Sequence, residues 1–134
     1  MPLTLRQARR VVDACVAKAT ELKISQAIAV VDAAGNVISL DRMDGVKLGR
    51  EEFARGKAFA AVFYRRPTKE SVKLLETSPD QYHSGLAMFP GKMFIVRGGF
   101  PIEIGGELVG GLGVSGATGE QDEIVALAGL ATLG

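Results

Sequence analysis

The strongest constraint on this chain is a glycine cluster, Gly110, Gly111, Gly113 and Gly116, set in a stretch otherwise suited to a β-strand. Residues Glu107 to Val114 and the preceding Phe100 to Ile104 read as two strands joined by the turn Gly105-Gly106. Glycine weakens a strand and offers no side chain to pack. A cluster of this kind therefore implies close approach of another backbone or of a flat ligand. No Gly-Lys-Ser/Thr follows, so the cluster is not a phosphate-cradling loop. Ser115, in Gly113-Val114-Ser115-Gly116, lacks the Gly-x-Ser-x-Gly spacing of a nucleophile elbow. Two roles stay open for it: ending a strand or capping a helix, or offering a hydroxyl and amide to a ligand oxygen.

A second stretch makes the same demand. Residues 49 to 64 carry Phe53, Ala54, Ala58, Ala61, Val62 and Phe63 at helical spacing, and Pro67 ends the run. Ala54, Gly56, Ala58, Ala60 and Ala61 leave its surface almost bare, which predicts a tight contact there despite the cost of about 1 kcal/mol for a helical glycine. Elsewhere, Leu5, Ala8, Val12, Cys15, Ala19 and Leu22 predict an amphipathic helix over 4–22 with Thr4 as its N-cap. Runs 27–32 and 36–42, separated by Ala33-Ala34-Gly35, predict an antiparallel hairpin. Pro67-Thr68 opens a shorter helix to about Glu76, and Met93 to Val96 reads as a further strand. Ser78 to Gly91, with two prolines and two glycines, reads as a long loop. Gly119 to Leu133 closes as a helix with Ile124, Leu127, Ala128 and Ala131 facing inward. The order predicts an α+β sandwich of the profilin/PAS kind, an antiparallel sheet of about five strands flanked by helices, in one domain over 1–134.

Sixteen Lys plus Arg against fifteen Asp plus Glu leave no field to hold a phosphate backbone, so nucleic acid is not an expected partner. The start carries charge at Arg6, Arg9 and Arg10, and no stretch reaches the ~18 apolar residues of a membrane span. Neither a signal peptide nor a membrane anchor is expected, and a single cysteine, Cys15, agrees with a reducing, cytoplasmic setting. Cys15 lies on the apolar stripe of the first helix and reads as a small core residue.

One histidine and one cysteine cannot build a closed zinc site, and no metal is expected. His83 is the only side chain that ordinarily titrates near neutrality, which makes it the candidate for acid–base work or haem ligation. Tyr82 beside it could line a pocket or pin its segment to the core. Arg97-Gly98-Gly99-Phe100-Pro101 sets a cation beside an irregular backbone, which suits a carboxylate or, equally, a structural bulge with Arg97 in a surface ion pair. Arg42 and Lys57 are further candidate cations. A pocket between 78–91 and 97–101 is the expected site.

Taken in order, Ala29-Val30-Val31-Asp32 with Gly35, Arg42-Met43-Asp44-Gly45, Lys57-Ala58 ahead of Pro67-Thr68, Gly98-Gly99-Phe100-Pro101-Ile102 and Gly110 to Ala117 with Asp122 resemble the GlcG/HbpS family over nearly the whole chain. That family includes haem-binding proteins and the C-terminal domain of PduO-type cobalamin proteins. The resemblance implies a homo-oligomer, from dimer to octamer, and haem or a corrinoid as ligand. Some haem-binding members carry a histidine in the first helix. This chain has none there, so haem would take His83 from another element or bind without strong axial ligation. Two functions follow as expectations. One is a small-ligand-binding oligomeric domain; the other is an enzyme or enzyme accessory acting on a small oxygenated carboxylic acid in a catabolic pathway. In the second, Arg97 and Arg42 hold the carboxylate, His83 moves a proton and Ser115 steadies an oxyanion.

Overall fold

The computed structural model describes residues 1–134. Its sheet has four strands, β1 (Ala27–Asp32), β2 (Val37–Arg42), β3 (Gly99–Ile104) and β4 (Glu107–Ser115), all antiparallel in the order β2-β1-β4-β3. Helices α1 (Leu5–Glu21) and α6 (Gly119–Leu130) cover one face, and α2 (Arg50–Tyr64) covers the other. Thr4 caps α1 as expected: its hydroxyl accepts from Gln7 N–H while the Gln7 side chain accepts from Thr4 N–H, which satisfies two orphan donors. No helix is long and apolar enough to cross a membrane.

The two bare stretches of the sequence are each other's partner. A Cβ at Gly113 would collide with Ala54 O and lie 2.7 Å from Ala58 N, and one at Gly111 would lie 2.5 Å from Ala58 O. The backbone of α2 therefore lies directly on the backbone of β4. The same strand points Leu112 and Val114 the other way, into a core shared with Val11, Cys15 and Val125.

Three expectations are corrected. Met93 to Val96 is not a fifth strand; Met93 and Ile95 bury alternate side chains with Ala60 beside α2, where Gly56 leaves room for Phe94. Its alternation is met by a helix surface and so needs no ladder. Residues 78–91 are largely helical, with α3 (Thr68–Ser71) and α4 (Leu74–Thr77) leading into α5 (Pro79–Met88). Pro79 sits where a missing N–H costs nothing, and Tyr82, Leu86 and Phe89 pack on that same cluster. Finally, α6 is rotated: Val125, Ala126 and Gly129 face inward, while Ile124 and Leu127 are 38% and 52% exposed, Ala128 is half-buried and Ala131 is exposed. Two contacts set that rotation. A Cβ at Gly129 would lie 2.5 Å from Cys15 Sγ, and Asp122 turns into the protein to meet Lys57.

Candidate functional site

Beyond Gly113 the close contact ends. Alternation along β4 puts Ser115 on the α2 face, and there the strand and helix part to open a cleft of about 700 Å³. Its walls come from the ends of several elements: Ile24 and Ser25 before β1, the 45–53 segment with Lys47, Arg50 and Phe53, then Phe94 and Val96, and Ser115 to Asp122 at the start of α6. Phe53 and Phe94 stack at 4.1 Å with nearly parallel rings, and the Arg50 guanidinium lies 5.6 Å from the Phe53 ring centre. This gives one wall a stacked aromatic pair with a cation over the Phe53 ring.

Lys57 and Asp122 form the polar floor. Lys57 is 1% exposed, and its Nζ donates to Val114 O at 2.8 Å and to Asp122 Oδ2 at 3.1 Å. The other carboxylate oxygen accepts from Ala117 N–H at 3.1 Å, which ties the strand-to-helix loop to the pair. Burial lowers the proton affinity of Lys57 from its ordinary value, and Asp122 opposes that shift without cancelling it. Burial likewise raises Asp122 against the opposing pull of Lys57. Gln26, wholly buried, brings its amide toward Asp122 without good hydrogen-bond geometry, so its Nε2 and Oε1 both lack a partner.

Of the residues singled out by sequence, Lys57 and Ser115 line this cleft. Arg42 borders it: its guanidinium donates to Val46 O at 3.1 Å and lies 3.4 Å from Glu51 Oε1, holding the rim segment in place. Arg97 is outside the lining, paired with Glu123 Oε1 at 2.6 Å. Gly98 and Gly99 act as packing surfaces: a Cβ at Gly98 would sit 3.0 Å from Lys57 Nζ, and Gly99 N–H is already spent on Thr68 Oγ1 at 2.9 Å. Pro101 lies on β3 opposite Gly111. Tyr82 packs into the cluster beside α2, and His83 is exposed with its ring edge-on to Tyr82 at 5.3 Å; neither lines the cleft. The expected pocket between 78–91 and 97–101 does not form, because α5 packs against α2 and the Gly-Gly-Phe-Pro turn against Lys57 and Thr68.

Sequence reasoning missed Lys47, Arg50, Phe53, Phe94 and Gln26. A signal was present for the floor: Lys57 interrupts a stripe of small apolar residues, and Asp122 interrupts the inward face of α6. The lining holds three cations, Lys47, Arg50 and Lys57, against the single carboxylate of Asp122. It holds no imidazole, thiol, thioether or phenol, and no cluster of three or more His, Cys, Asp or Glu side chains that could hold a metal ion occurs in the chain. The donor set suits the carboxylates of a ligand and includes none of the His, Cys, Met or Tyr side chains that usually ligate haem iron.

The family model described as haem degrading protein HbpS-like matches residues 3–131. A crystal structure of a Streptomyces reticuli HbpS double mutant superposes with a TM-score of 0.90 at 37% identity, over 100% of this chain and 88% of that one. The PduOC:haem complex superposes with a TM-score of 0.88 at 29% identity, over 98% of this chain and 94% of that one. The corrinoid adenosyltransferase PduO of Citrobacter freundii is 32% identical over 99% of this chain, which spans only 39% of that relative's length.

Proposed function

Because the chain belongs to the HbpS-like family, we propose that it is a small-ligand-binding domain whose cleft takes a carboxylate-bearing organic molecule. The observation that carries this reading is the charge asymmetry of the cleft, three cations to one carboxylate in a volume usual for small-ligand sites. The N-terminal turn of α6, at Gly119 to Gln121, adds the positive end of a helix dipole to the same wall. Arg50 and Lys47 draw in the carboxylate, Phe53 and Phe94 cover an apolar face, and Ser115 offers its hydroxyl. His83 takes no part in this reading.

Haem is the second reading, favoured by the haem complex of the PduOC relative. Its propionates would meet Arg50 and Lys47 and its ring the phenylalanine pair, with no His, Cys, Met or Tyr in the lining to ligate the iron. A corrinoid rests on a relative's name alone, and no feature of the cleft selects it. Self-association is part of the proposal, since Ile124 and Leu127 leave an apolar stripe on the outside of α6.

Two titrations at fixed ionic strength test the reading, one with pyruvate followed by calorimetry and one with haemin followed at the Soret band. Removing a charge-assisted hydrogen bond worth about 1.5 to 3 kcal/mol should weaken the bound probe roughly ten- to a hundredfold in Arg50→Ala. His83→Ala and the surface control Arg6→Ala should leave it unchanged. A loss confined to His83→Ala moves the site to α5, and binding of neither probe removes the proposal.

A further inference from the structure

Lys57 is buried in a way that a purely structural role does not require. Its place on α2 could be filled by an apolar side chain, as Ala54, Ala58 and Ala61 fill theirs. Instead the chain brings an amine to the floor of an open cleft and fixes it from two sides. Two of its N–H directions are spent on Val114 O and Asp122 Oδ2, at 2.8 and 3.1 Å. The remaining valence of Nζ, a third N–H in the ammonium form or a lone pair in the amine, has no partner in the protein. Gly98 packs against that end of the side chain, and any Cβ there would lie 3.0 Å from Nζ, so the position must stay bare for the amine to keep its place. The residues around it select an anion, through Lys47 and Arg50, so a molecule seated in the cleft brings its carboxylate to the cations and its neighbouring carbon toward the floor.

We propose that Lys57 is a nucleophile that captures the carbonyl of a 2-oxo acid as an imine, with Asp122 as its proton acceptor. The inference rests on the anion-binding reading of the cleft and adds a covalent step to it. Lys57 gives one proton of its ammonium to Asp122, and the freed lone pair adds to the keto carbon. The keto oxygen, protonated in turn by Asp122 and by a proton from the same nitrogen, leaves as water while the C=N bond forms. No electron is gained or lost. Burial favours the neutral amine, the form that attacks, and Asp122 keeps the departing proton within 3.1 Å of the nitrogen. The oxo acid's carboxylate remains on Arg50 and Lys47 throughout, which is why a 2-oxo acid and not a simple ketone is the class selected.

The test is reductive trapping on the wild-type chain. The protein is incubated with pyruvate and cyanoborohydride, which delivers hydride to any imine carbon and makes the link permanent, and is then weighed intact and digested. One carboxyethyl group on Lys57, in at least tenfold excess over the exposed Lys23, Lys69 and Lys92, is the expected result. Acetone, which lacks the carboxylate, should label Lys57 at least tenfold less. Labelling spread over exposed lysines with Lys57 unmodified overturns the proposal, as does labelling of Lys47 in its place. Because the site is read in the wild-type chain, a variant that fails to fold cannot obscure the answer. Asp122→Asn, checked as folded by circular dichroism, should slow trapping at least tenfold; an unchanged rate overturns the role of Asp122. Pyruvate binding by calorimetry without any adduct overturns the covalent step alone and leaves the anion site standing. Absence of both overturns the anion-binding reading as well.

Discussion

The two faces of strand β4 are closed by opposite means. Toward α1 and α6, Leu112 and Val114 interlock with Val11, Cys15, Val125 and Ala126 in an ordinary side-chain core. Toward α2, Gly111 and Gly113 remove the side chains altogether and let backbone rest on backbone. Each face then buries a titratable group of its own, Cys15 on one side and Lys57 on the other. Cys15 sits in the closed core against Gly129, with nothing for its sulfur to act on, and burial pushes its thiol up to about 12. Lys57 sits at the edge of the backbone contact, where Ser115 follows the glycines and the cleft begins. Burial alone therefore does not mark a site. The buried group with a charged partner and an opening beside it is the one proposed above to meet a ligand.

The sharpest way to break this comparison is to restore a side chain where the α2 face has none. Gly113→Val forces a β-branched side chain against the Ala54 carbonyl, which cannot yield without moving α2. Overpacking usually costs about 1 to 3 kcal/mol, and a collision with backbone should exceed that range and abolish cooperative melting. Ser115→Ala, one residue pair further along the same face, loses a hydroxyl and should cost about 1 kcal/mol or less. Thermal melts that rank the two in the opposite order contradict the backbone contact.

Next in size is the buried pair. Lys57→Met leaves Asp122 and Val114 O without their donor and should cost about 3 to 5 kcal/mol by urea denaturation. Lys57→Met combined with Asp122→Leu should recover most of that loss, because an apolar pair has no uncompensated charge to bury. A double variant no more stable than the single one shows that the pair is needed for the fold itself, and erases the contrast with Cys15.

The most gradual effect is a slope with pH on the other face. The thiol of Cys15 titrates at about 12 in the folded chain against an ordinary value of 9.0, so its contribution is fully present below pH 9 and is lost as pH rises toward 12. In that window the wild type should lose about 1.4 kcal/mol per pH unit more than Cys15→Ala does. Parallel curves for the two chains would show that Cys15 is not sealed in the core.

Much of the fold was legible because its determinants are local. Thr4 with Gln7, the Gly105-Gly106 turn, and the bareness of both α2 and β4 each state a requirement that can be read in a few residues. That the last two meet one another is a long-range fact that neither states. Helix α5 was hidden by Pro79 and Gly85, whose breaker character outweighed the Tyr82, Leu86, Phe89 spacing, although proline is at home in a first helical turn. The rotation of α6 was misread because Ile124 and Leu127 are apolar and Asp122 is charged; only its partner on α2 explains why the acid turns inward. The cleft was half legible. Lys57 and Ser115 stood out by residue type, whereas Arg50, Phe53 and Phe94 come together only when the ends of separate elements meet. His83 drew attention by chemistry, and the fold sets it on an exposed helix face.

The central claim, that the cleft at the end of β4 is where this chain holds its ligand, is tested most directly by amide chemical-shift mapping with pyruvate on the wild-type protein. The account predicts saturable shifts at Lys47, Arg50 and Ser115 to Gln121, with Tyr82 to Met88 unmoved. Shifts centred on His83 and its neighbours, with the 115–121 amides silent, would contradict it.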